Sequence, residues 1–307
     1  VEAVTRVEPG VNDPAGPAAD GNGIVGLADN CDDAGIDYAA DLSGNVNIQV
    51  LTGGIHSNSG LAKDGASGCI ATQTGSNYRC VSGEPKKTDP FHVGPDCSSS
   101  TTQADPQHTD TLVTMSVPPP DCAALDVKTA SYNMTPGRYN GISLTSSGKT
   151  LVMAPGLYCF TGGVKITGGT VQVLNTSPYT NDDGVTIYFD GTSFEFEGNG
   201  SINLRAPTQT ATNSGLAIPG MLLYTSETYT GEVKITGTPN STLRGTVFVP
   251  SGTLNIGGTS GTTGWEAQWI AKYVRFHGNP DFILNYDGGD LYWDEGHTTP
   301  SLLDVYQ

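Results

Sequence analysis

Long hydrophobic runs and helical patterns are both missing from this sequence. No apolar stretch approaches the roughly 18 residues that a membrane-spanning helix needs. No signal peptide is recognisable, and the chain begins with Val1, which we interpret as a sign of processing. No segment shows sustained helical periodicity, and only residues 123–130 are compatible with a short helix. These absences predict a protein without a membrane span and with almost no α-helix.

Basic residues are also scarce. The chain of 307 residues has 14 Lys and Arg against 31 Asp and Glu, for a net charge of −17. Such a surface repels phosphates, which argues against nucleic-acid binding. Charged residues make up only 15%, whereas there are 41 Gly and 19 Pro. With recurring β-branched and aromatic residues, this composition indicates a turn-rich β protein rather than a disordered acidic chain.

Short strand-like segments recur between residues 139 and 287. They begin at about 141, 157, 184, 220, 246 and 268, at spacings typical of repeat architectures. Between them lie runs in which apolar and polar residues alternate, the pattern of a strand with one buried face. These runs are residues 164–166, 171–173, 194–196, 202–204, 233–235 and 254–256. We therefore predict an all-β fold, a right-handed parallel β-helix or a related β-solenoid.

The rest of the chain divides by composition. Residues 1–22 form an N-terminal strand and linker, and residues 23–60 form the first solenoid turns. Residues 61–138 are rich in Ser, Thr, Gly, Pro and Asp, and we interpret them as a disulfide-stapled, loop-rich insertion without a large core of its own. Residues 139–287 are the β-helix core, and residues 288–307 are a C-terminal tail or cap.

Six cysteines suggest three disulfides. Their even number, the lack of a Cys-x-x-Cys motif and the lack of His at ligand spacing argue against zinc and for an oxidising compartment. Sequence alone does not determine the pairing. Our expectation is Cys69–Cys80, Cys122–Cys159 and Cys31–Cys97.

The first seven residues have the alternation of a strand on a flexible linker. Within this strand, the candidate residues for contact with another subunit are Val1, Ala3, Val4 and Val7. A strand on a tether has little stability alone, so it must pair with a sheet edge. That edge belongs either to its own chain or to a neighbouring copy, in which case the strand is donated between subunits.

Candidate catalytic groups do not form a known motif. Glycoside hydrolases use a pair of carboxylates to hydrolyse the glycosidic bond. The candidates for such a pair are Asp182, Asp183, Asp190, Glu195 and Glu197. The Asn-Thr-Asp, Gly-His-Gly and Arg-Ile-Lys motifs of polygalacturonase-like enzymes are absent. A lyase-like site would use Arg205 or Arg244 as base, and nothing in the sequence places either beside the acids. His56 has only Ser57 beside it and is interpreted as a hydrogen-bonded structural residue. We assign no catalytic residue.

Hard oxygen donors cluster near the C-terminus. Asp287, Asp290 and Asp294 are a candidate structural Ca²⁺ site, although no EF-hand or Gly-Gly-x-Gly-x-Asp repeat is present. Solvated acidic loops are the alternative interpretation. No other cofactor is expected.

Two kinds of residue suggest contact with glycans. Glycosylation sequons occur at Asn133, Asn175, Asn199 and Asn240. Exposed aromatic residues would stack on sugars, and the candidates are Trp265, Tyr273 and Trp293.

An ordered series of short motifs resembles the extracellular part of TadG-like proteins, which are associated with Tad/Flp pilus assembly. The motifs are Gly-Gly-Ile-His-Ser-Asn at 53–58, Pro-Gly-Leu-Tyr-Cys at 155–159, Gly-Gly-Val-Lys-Ile-Thr-Gly-Gly at 162–169, Gly-Val-Thr-Ile-Tyr-Phe at 184–189, Ile-Asn-Leu-Arg-Ala-Pro at 202–207, Arg-Gly-Thr-Val-Phe-Val-Pro at 244–250 and Leu-Asn-Ile at 254–256. The resemblance covers about residues 23–284. It implies an adhesive or structural protein of the envelope or pilus, with no active site to transfer. It also implies a preceding membrane helix, after whose removal residues 1–7 would remain.

Together these features predict an extracellular or cell-surface structural protein. It would assemble with copies of itself into filaments or decorate a pilus or another cell-surface component. The alternatives are a polysaccharide-active β-helix enzyme and a carbohydrate-binding adhesin.

Overall fold

The structure is a computed structural model of the chain. It describes residues 5–7, 16–29, 38–63, 68–79, 86–87, 91–94, 102–103, 106–197, 200–237, 241–258, 263–278, 281–286, 288–294 and 303–305. No α-helix occurs in these ranges; three short 3-10 helices span Ala18–Gly21, Cys122–Ala124 and Gly288–Asp290.

The remaining regular structure is β-strand. In the first part of the chain the strands are β1 (Thr5–Val7), β2 (Gly16–Pro17), β3 (Ile24–Gly26), β4 (Tyr38–Leu42), β5 (Asn47–Val50), β6 (Ile55–Ser57), β7 (Gly60–Lys63), β8 (Cys69–Thr72), β9 (Ser76–Tyr78), β10 (Lys86–Lys87), β11 (Phe91–Val93), β12 (Thr102–Gln103) and β13 (Gln107–His108). In the second part they are β14 (Val127–Lys128), β15 (Asn133–Met134), β16 (Gly137–Tyr139), β17 (Ile142–Leu144), β18 (Thr150–Met153), β19 (Gly156–Phe160), β20 (Val164–Ile166), β21 (Thr170–Val173), β22 (Val185–Phe189), β23 (Phe194–Phe196), β24 (Ser201–Arg205), β25 (Met221–Thr225), β26 (Glu232–Gly237), β27 (Thr242–Gly258), β28 (Thr263–Phe276), β29 (Asp281–Leu284), β30 (Trp293–Asp294) and β31 (Leu303–Val305).

Most strands belong to one large parallel sheet that returns on itself every three strands. β16 pairs with β19, β17 with β20, and β18 with β21, and the same step recurs up to β28. The long strands β27 and β28 each contribute one segment to each of three neighbouring columns of strands. The strands therefore form three faces, which we call A, B and C after β16, β17 and β18. The arrangement, which we call the stack, is compatible with the predicted β-solenoid.

The order of the rungs differs from the order of the chain. The stack starts at β14 and proceeds to β29, and its next rung is formed by the N-terminal strands. β28 pairs with β3 and β4, and β29 pairs with β5. The chain then continues outward through β6, β9 and β13 on face A. The sequence analysis had placed residues 23–60 as the first turns of the solenoid, before the core. In the structure, strands β3 to β6 instead follow the last C-terminal strands.

Apolar side chains from all three faces fill the interior. Alternation along each strand directs every second residue inward, as in β20, where Val164 and Ile166 are buried and Lys165 is exposed. Stacked aromatic residues contribute much of this volume. The largest are Trp265, Trp269, Tyr158, Phe189 and Phe194, each at most 1% exposed.

Residues 109–121 connect the two ends of the stack on the outside, and we call them the return segment. They begin beside β9, where the Thr109 amide donates to the Tyr78 carbonyl at 2.9 Å. The side chain of Asn58 accepts from the amide of Val113 at 2.9 Å and donates to its carbonyl at 2.7 Å. The hydroxyl of Tyr224 donates to the Val117 carbonyl at 2.7 Å.

The return segment covers an apolar row on the outside of face A. Tyr188, Tyr224, Phe248, Ile270 and Val25 lie side by side on successive rungs. Together with residues of the return segment and of both terminal segments, most of these side chains form a second hydrophobic cluster outside the main core. Because this cover removes an apolar stripe from water, it stabilises the stack as the interior core does.

A disulfide fixes the far end of the return segment. Cys122 and Cys159 are bonded, and Cys159 lies on β19 next to Tyr188 of the apolar row. The predicted Cys122–Cys159 pair is therefore confirmed. Such a bond is typical of proteins that fold outside the reducing cytosol. Cys69 is also in a disulfide, but Cys31, Cys80 and Cys97 lie outside the described residues. The predicted pairs Cys69–Cys80 and Cys31–Cys97 therefore stay predictions.

The interpretation of residues 61–138 as an insertion requires correction. β7, β8 and β9 pair in parallel with β4, β5 and β6, and β10, β11 and β13 continue the same faces. Their strands are short, and some are polar, such as β9 (Ser-Asn-Tyr), so the alternation that identified the core is weak. Of the described residues in this range, the return segment and the adjoining residues to 126 run outside the stack.

We expect removal of the Cys122–Cys159 bond to destabilise the fold. The bond closes a segment with a sequence separation of 37 residues. A Cys122→Ser/Cys159→Ser variant should therefore lose about 2–4 kcal/mol of unfolding free energy, measured by urea denaturation. An unchanged denaturation midpoint would contradict the role assigned to this bond.

Candidate functional site

The N-terminal and C-terminal segments leave the middle of the stack together and pair with each other. β2 pairs antiparallel with β30, Gly16 opposite Asp294, and β1 pairs antiparallel with β31, Val7 opposite Leu303. Eight residues separate the paired positions on each segment, so both pairs share one register. We call the two strand pairs, β1 with β31 and β2 with β30, the terminal ribbon.

Buried polar side chains on face A hold the base of the ribbon. The Gln268 amide donates to the carbonyls of Ala18 and Asn22, both at 2.8 Å. The Thr246 hydroxyl accepts from the amide of Tyr292 at 3.1 Å and donates to Gln268. Because Thr246 and Gln268 are fully buried, these bonds are shielded from water. The base of the ribbon is therefore a fixed part of the fold.

A glycine permits the close approach of the C-terminal segment. Gly220 has a φ of +74°, and a Cβ there would lie 2.0 Å from the backbone of Leu291. Leu291 is fully buried and Tyr292 nearly so. The predicted tail or cap therefore packs against the side of the stack at mid-length, at least for residues 288–294.

An apolar groove of about 450 Å³ lies beside the ribbon base. It runs between the return segment, the loop of residues 207–219 and the C-terminal segment. Its walls include Val117, Pro118, Leu216, Ile218 and Trp293. Leu216 is 57% exposed and Trp293 is 41% exposed, so the groove presents an accessible apolar surface.

The three aromatic candidates do not form one exposed row. Trp265 is 1% exposed, packs on Trp269 and Phe282, and donates its indole N–H to the Ser241 carbonyl. It is a core residue, so its prediction as a sugar-stacking residue was wrong. Tyr273 is partly exposed on face B, with Lys272 over its ring at 5.6 Å. Of the three, Trp293 is the one that lines a groove.

Asp183 is a buried structural acceptor. Its carboxylate accepts from the backbone and side chain of Thr180, from those of Asn213, and from the hydroxyl of Ser214. Burial alone would raise the pKa of Asp183, but these hydrogen bonds outweigh it and the pKa is lowered. This carboxylate joins the loop of residues 207–219, which borders the apolar groove, to residues 180–183.

Three of the other four candidate carboxylates are also engaged by donors. Glu195 pairs with Lys165 at 3.0 Å on neighbouring rungs of face B, and Lys234 lies 4.0 Å from Glu197. Asp190 accepts from the hydroxyl of Ser226 at 2.5 Å. Asp182, next to buried Asp183, is exposed. The structure thus distributes these acids over several loops and rungs.

The two candidate arginines lie side by side, which the sequence did not indicate. Arg205 and Arg244 occupy adjacent rungs and line a groove of about 260 Å³ with Glu266. Arg205 donates to the carbonyl of Asp183 at 2.7 Å, and Arg244 donates to that of Asn181 at 2.6 Å. Burial, together with the neighbouring charge of Arg244, lowers the pKa of Arg205. Both guanidinium groups support the loop of residues 180–183.

The predicted calcium ligands are only partly described. Asp290 lies 3.8 Å from the guanidinium of Arg244, Asp294 belongs to β30, and Asp287 lies outside the described residues. Within the described ranges no group of three or more His, Cys, Asp or Glu could hold a metal ion.

The remaining predicted residues fall at scattered positions. Asn133 and Asn175 are exposed, whereas Asn199 and Asn240 are not described. His56 is buried on face A and hydrogen-bonds Asn58 at 3.0 Å, so its interpretation as a hydrogen-bonded residue is confirmed. Of the strand residues, Val7 is in β1, and Val1, Ala3 and Val4 are not described.

The sequence analysis missed the partner of the N-terminal strand. Leu303 and Val305 flank Asp304 with the same alternation as residues 1–7, and this pattern was the available signal. The Gln268 anchor left no comparable trace, because an isolated Gln in a strand has no characteristic pattern.

Comparisons with known proteins give no further assignment: no family model, no curated protein and no solved structure matches the chain. Within the described part of the chain, no helix has the length and apolarity needed to cross a membrane.

We expect Asp183→Asn to destabilise the protein in a pH-dependent way. The folded-state pKa is below the ordinary value of 3.8, so the carboxylate contributes stability above that value and loses it as the pH falls through the folded pKa. At pH 7 the variant should lose about 1–3 kcal/mol of unfolding free energy.

The matched control is Asp182→Asn, which changes an exposed neighbour and should stay within about 0.5 kcal/mol of the parent. The deficit of Asp183→Asn should shrink as the pH is lowered below 3.8. Equal effects of the two substitutions, or a deficit independent of pH, would contradict the role of Asp183.

Proposed function

We propose that this chain is a structural protein of the cell surface or the extracellular space that assembles with copies of itself. The proposal takes the stack to be a right-handed β-helix and assigns it no catalytic role. The assembled form is either a filament or a decoration on a pilus or another surface component.

The terminal ribbon is the observation that carries the proposal. Among the described strands, β1 and β31 pair only with each other and remain outside the large sheet. A two-stranded ribbon is at best marginally stable in water. Each of its outer edges presents unpaired backbone N–H and C=O groups, which readily pair with another chain. A ribbon of this kind is therefore suited to strand exchange between copies.

The alternation in the sequence agrees with this use. Val1, Ala3, Thr5 and Val7 share one side of a strand, and Leu303 and Val305 alternate in the same way opposite them. Apolar residues on one side of a ribbon need a surface to cover them. The proposed donated element is thus the whole ribbon, in place of the single N-terminal strand suggested by the sequence.

Three further features support an exposed structural role. The Cys122–Cys159 disulfide suits an oxidising environment, and the long parallel stack suits a durable scaffold. The ordered motifs that resemble TadG-like proteins point to the envelope or a pilus. Four of the five candidate carboxylates, Asp183, Asp190, Glu195 and Glu197, are engaged in hydrogen bonds or ion pairs, which favours this proposal over a polysaccharide-degrading enzyme.

A second candidate function is carbohydrate binding in the apolar groove. Trp293 is 41% exposed and lines the groove next to Tyr292, and exposed aromatic rings are suited to stacking on sugars. If the groove binds glycans, Trp293→Ala should weaken binding on a glycan array at least tenfold relative to Tyr132→Ala, which changes an exposed tyrosine at the start of the stack. Equal binding by both variants, or none by the parent, would rule out this candidate.

The self-assembly proposal predicts that the ribbon is required for polymers. Electron microscopy of the native protein should show ordered fibres, whereas a variant lacking residues 1–10 should show single particles. Val7→Pro should behave like the deletion, because proline removes a backbone donor from the strand opposite Leu303.

The matched control is Val7→Thr, which retains the backbone donor and the β-branched shape and should still form fibres. Circular dichroism should show a folded stack in every variant, since the ribbon lies outside the large sheet. Single particles from the native protein under all assembly conditions would refute the proposal.

A further inference from the structure

The first turn of the stack is incomplete on one face. On faces A and C this turn contains β14 and β15, which pair with β16 and β18. Residues 129–132 connect β14 to β15 in four residues, whereas the connection from β16 to β18 takes ten, residues 140–149, and includes β17. The short connection contains no strand, so among the described strands β17 pairs only with β20. Face B therefore ends one strand earlier than faces A and C.

An open groove of about 570 Å³ lies where this strand is missing, and we call it the notch. Its lining includes Lys128 and Ala130 on one side and Ile142 and Ser143 of β17 on the other. Ile142 is only partly buried. The next inward residues along face B, Val164 and Phe194, are at most 2% exposed because strands cover them on both sides. One further strand in the notch would bury Ile142 in the same way.

The free edge of β17 offers backbone hydrogen bonds to such a strand. The amide of Ile142 donates to the Gly163 carbonyl at 3.0 Å, and the Leu144 carbonyl accepts from the amide of Thr167 at 2.9 Å. Both residues therefore direct their backbone groups towards β20. Because successive residues of a strand face opposite edges, the N–H and C=O groups of Ser143 point into the notch. An unpaired edge of this kind is a template for a strand of another chain.

The surroundings of the notch are positively charged. Residues 127–181 contain four Lys and Arg and no Asp or Glu. Lys165, at the notch, pairs with Glu195 of a later turn at 3.0 Å. Lys128 donates to two neutral oxygens, and no carboxylate of the described residues lies within ion-pair distance of it. A strand that brings an acidic side chain to Lys128 would therefore supply the missing counter-charge.

Of the two outer strands of the terminal ribbon, β31 has the sequence that suits the notch. β31 reads Leu-Asp-Val, with one acidic residue between two apolar ones, whereas β1 reads Thr-Arg-Val. Asp304 of β31 would attract Lys128, and Arg6 of β1 would repel it. Among the described strands, β31 pairs only with β1. The second edge of β31 can therefore pair with β17 while β1 stays in place.

The alternation of β31 also matches that of β17. Opposite residues on neighbouring strands point to the same side of a sheet. With Asp304 opposite Ser143, the acidic residue lies on the outer side of face B, and its two apolar neighbours lie over Ile142 and Leu144. This arrangement is the same for both directions of β31, because the three-residue pattern is symmetric.

We propose that the terminal ribbon of one copy inserts into the notch of another copy, with β31 paired to β17 and Asp304 beside Lys128. The inference rests on the proposed self-assembly and names the surface that receives the ribbon. Within one copy the base of the ribbon is held on face A by Gln268 and Thr246, several turns away from the notch on face B. Donor and acceptor are different surfaces, so the contact repeats from copy to copy and builds an open chain unless its rotation closes a ring.

Cysteine cross-linking between two variants tests the contact directly. Ser143→Cys is made in one preparation and Asp304→Cys in another, so that a bond between positions 143 and 304 can only join two copies. After mixing under assembly conditions and mild oxidation, this bond should form, because opposite residues on paired strands are close enough for a disulfide. Peptide mass mapping identifies it. The matched control for the acceptor is Lys234→Cys, in the same outer column of face B but on β26, which is paired on both edges.

A proline substitution tests the backbone pairing. Ser143→Pro removes the N–H donor that points into the notch and retains the bonds that Ile142 and Leu144 make with β20. This variant should need an about tenfold higher protein concentration for assembly, measured by sedimentation and electron microscopy. Ser143→Thr retains the donor and should match the parent.

A charge exchange tests the choice of β31. Asp304→Lys should also raise the concentration needed for assembly, because it places a second cation beside Lys128. Adding Lys128→Asp should restore assembly, since the two charges then attract again. Thermal unfolding of each variant should show that the stack remains folded.

The possible outcomes separate the two proposals. Parental assembly by Ser143→Pro, or a cross-link to position 143 no more abundant than that to position 234, would overturn the notch as the acceptor and leave self-assembly standing. A folded parent that assembles under no condition would overturn both proposals.

Discussion

The whole arrangement depends on the parallel pairing of β28 and β29 with β3, β4 and β5. This seam joins the C-terminal half of the chain to the N-terminal half in one continuous stack. It buries Trp269, Ile24 and Leu42 in the shared interior. Without it each half would have an additional open end, with unpaired backbone groups and an exposed apolar core.

Two features follow from the seam. The chain must return from one end of the stack to the other, which requires the segment of residues 109–121 along face A. Both terminal segments must leave from the middle, where they meet and pair. One topological choice thus accounts for the apolar row with its cover and for the ribbon.

The sequence predicted the local structure better than its order in space. Alternation in segments such as Val164-Lys-Ile166 identified the strands of the C-terminal half, and spacing suggested a solenoid. Strands such as β9, Ser-Asn-Tyr, carry no such alternation, so residues 61–108 were misinterpreted as an insertion. The seam left no local signal in the sequence. Parallel strands from distant segments pair through backbone hydrogen bonds, which any strand of similar shape can form.

The candidate site was predicted in part for similar reasons. The strand character of residues 1–7 was visible, but its partner lies almost 300 positions away in the sequence. Cys122–Cys159 was expected correctly, although only the structure shows that it secures the return segment. Trp265 was misassigned because composition cannot distinguish a core tryptophan from an exposed one. Whether a tryptophan is buried or exposed depends on which strands pack against it in the folded stack.

The axial repeat of assembled protein, measured by cryo-electron microscopy, tests the central claim most directly. Face A has eleven strands in the described part of the chain, and a spacing of about 4.8 Å gives an axial rise of about 50 Å per copy. We predict one continuous stack of that length in each copy, with β28 and β29 paired to β3, β4 and β5, and the terminal ribbon in contact with a neighbour. Two separate half-stacks within one copy, or a ribbon that contacts only its own copy, would contradict the account.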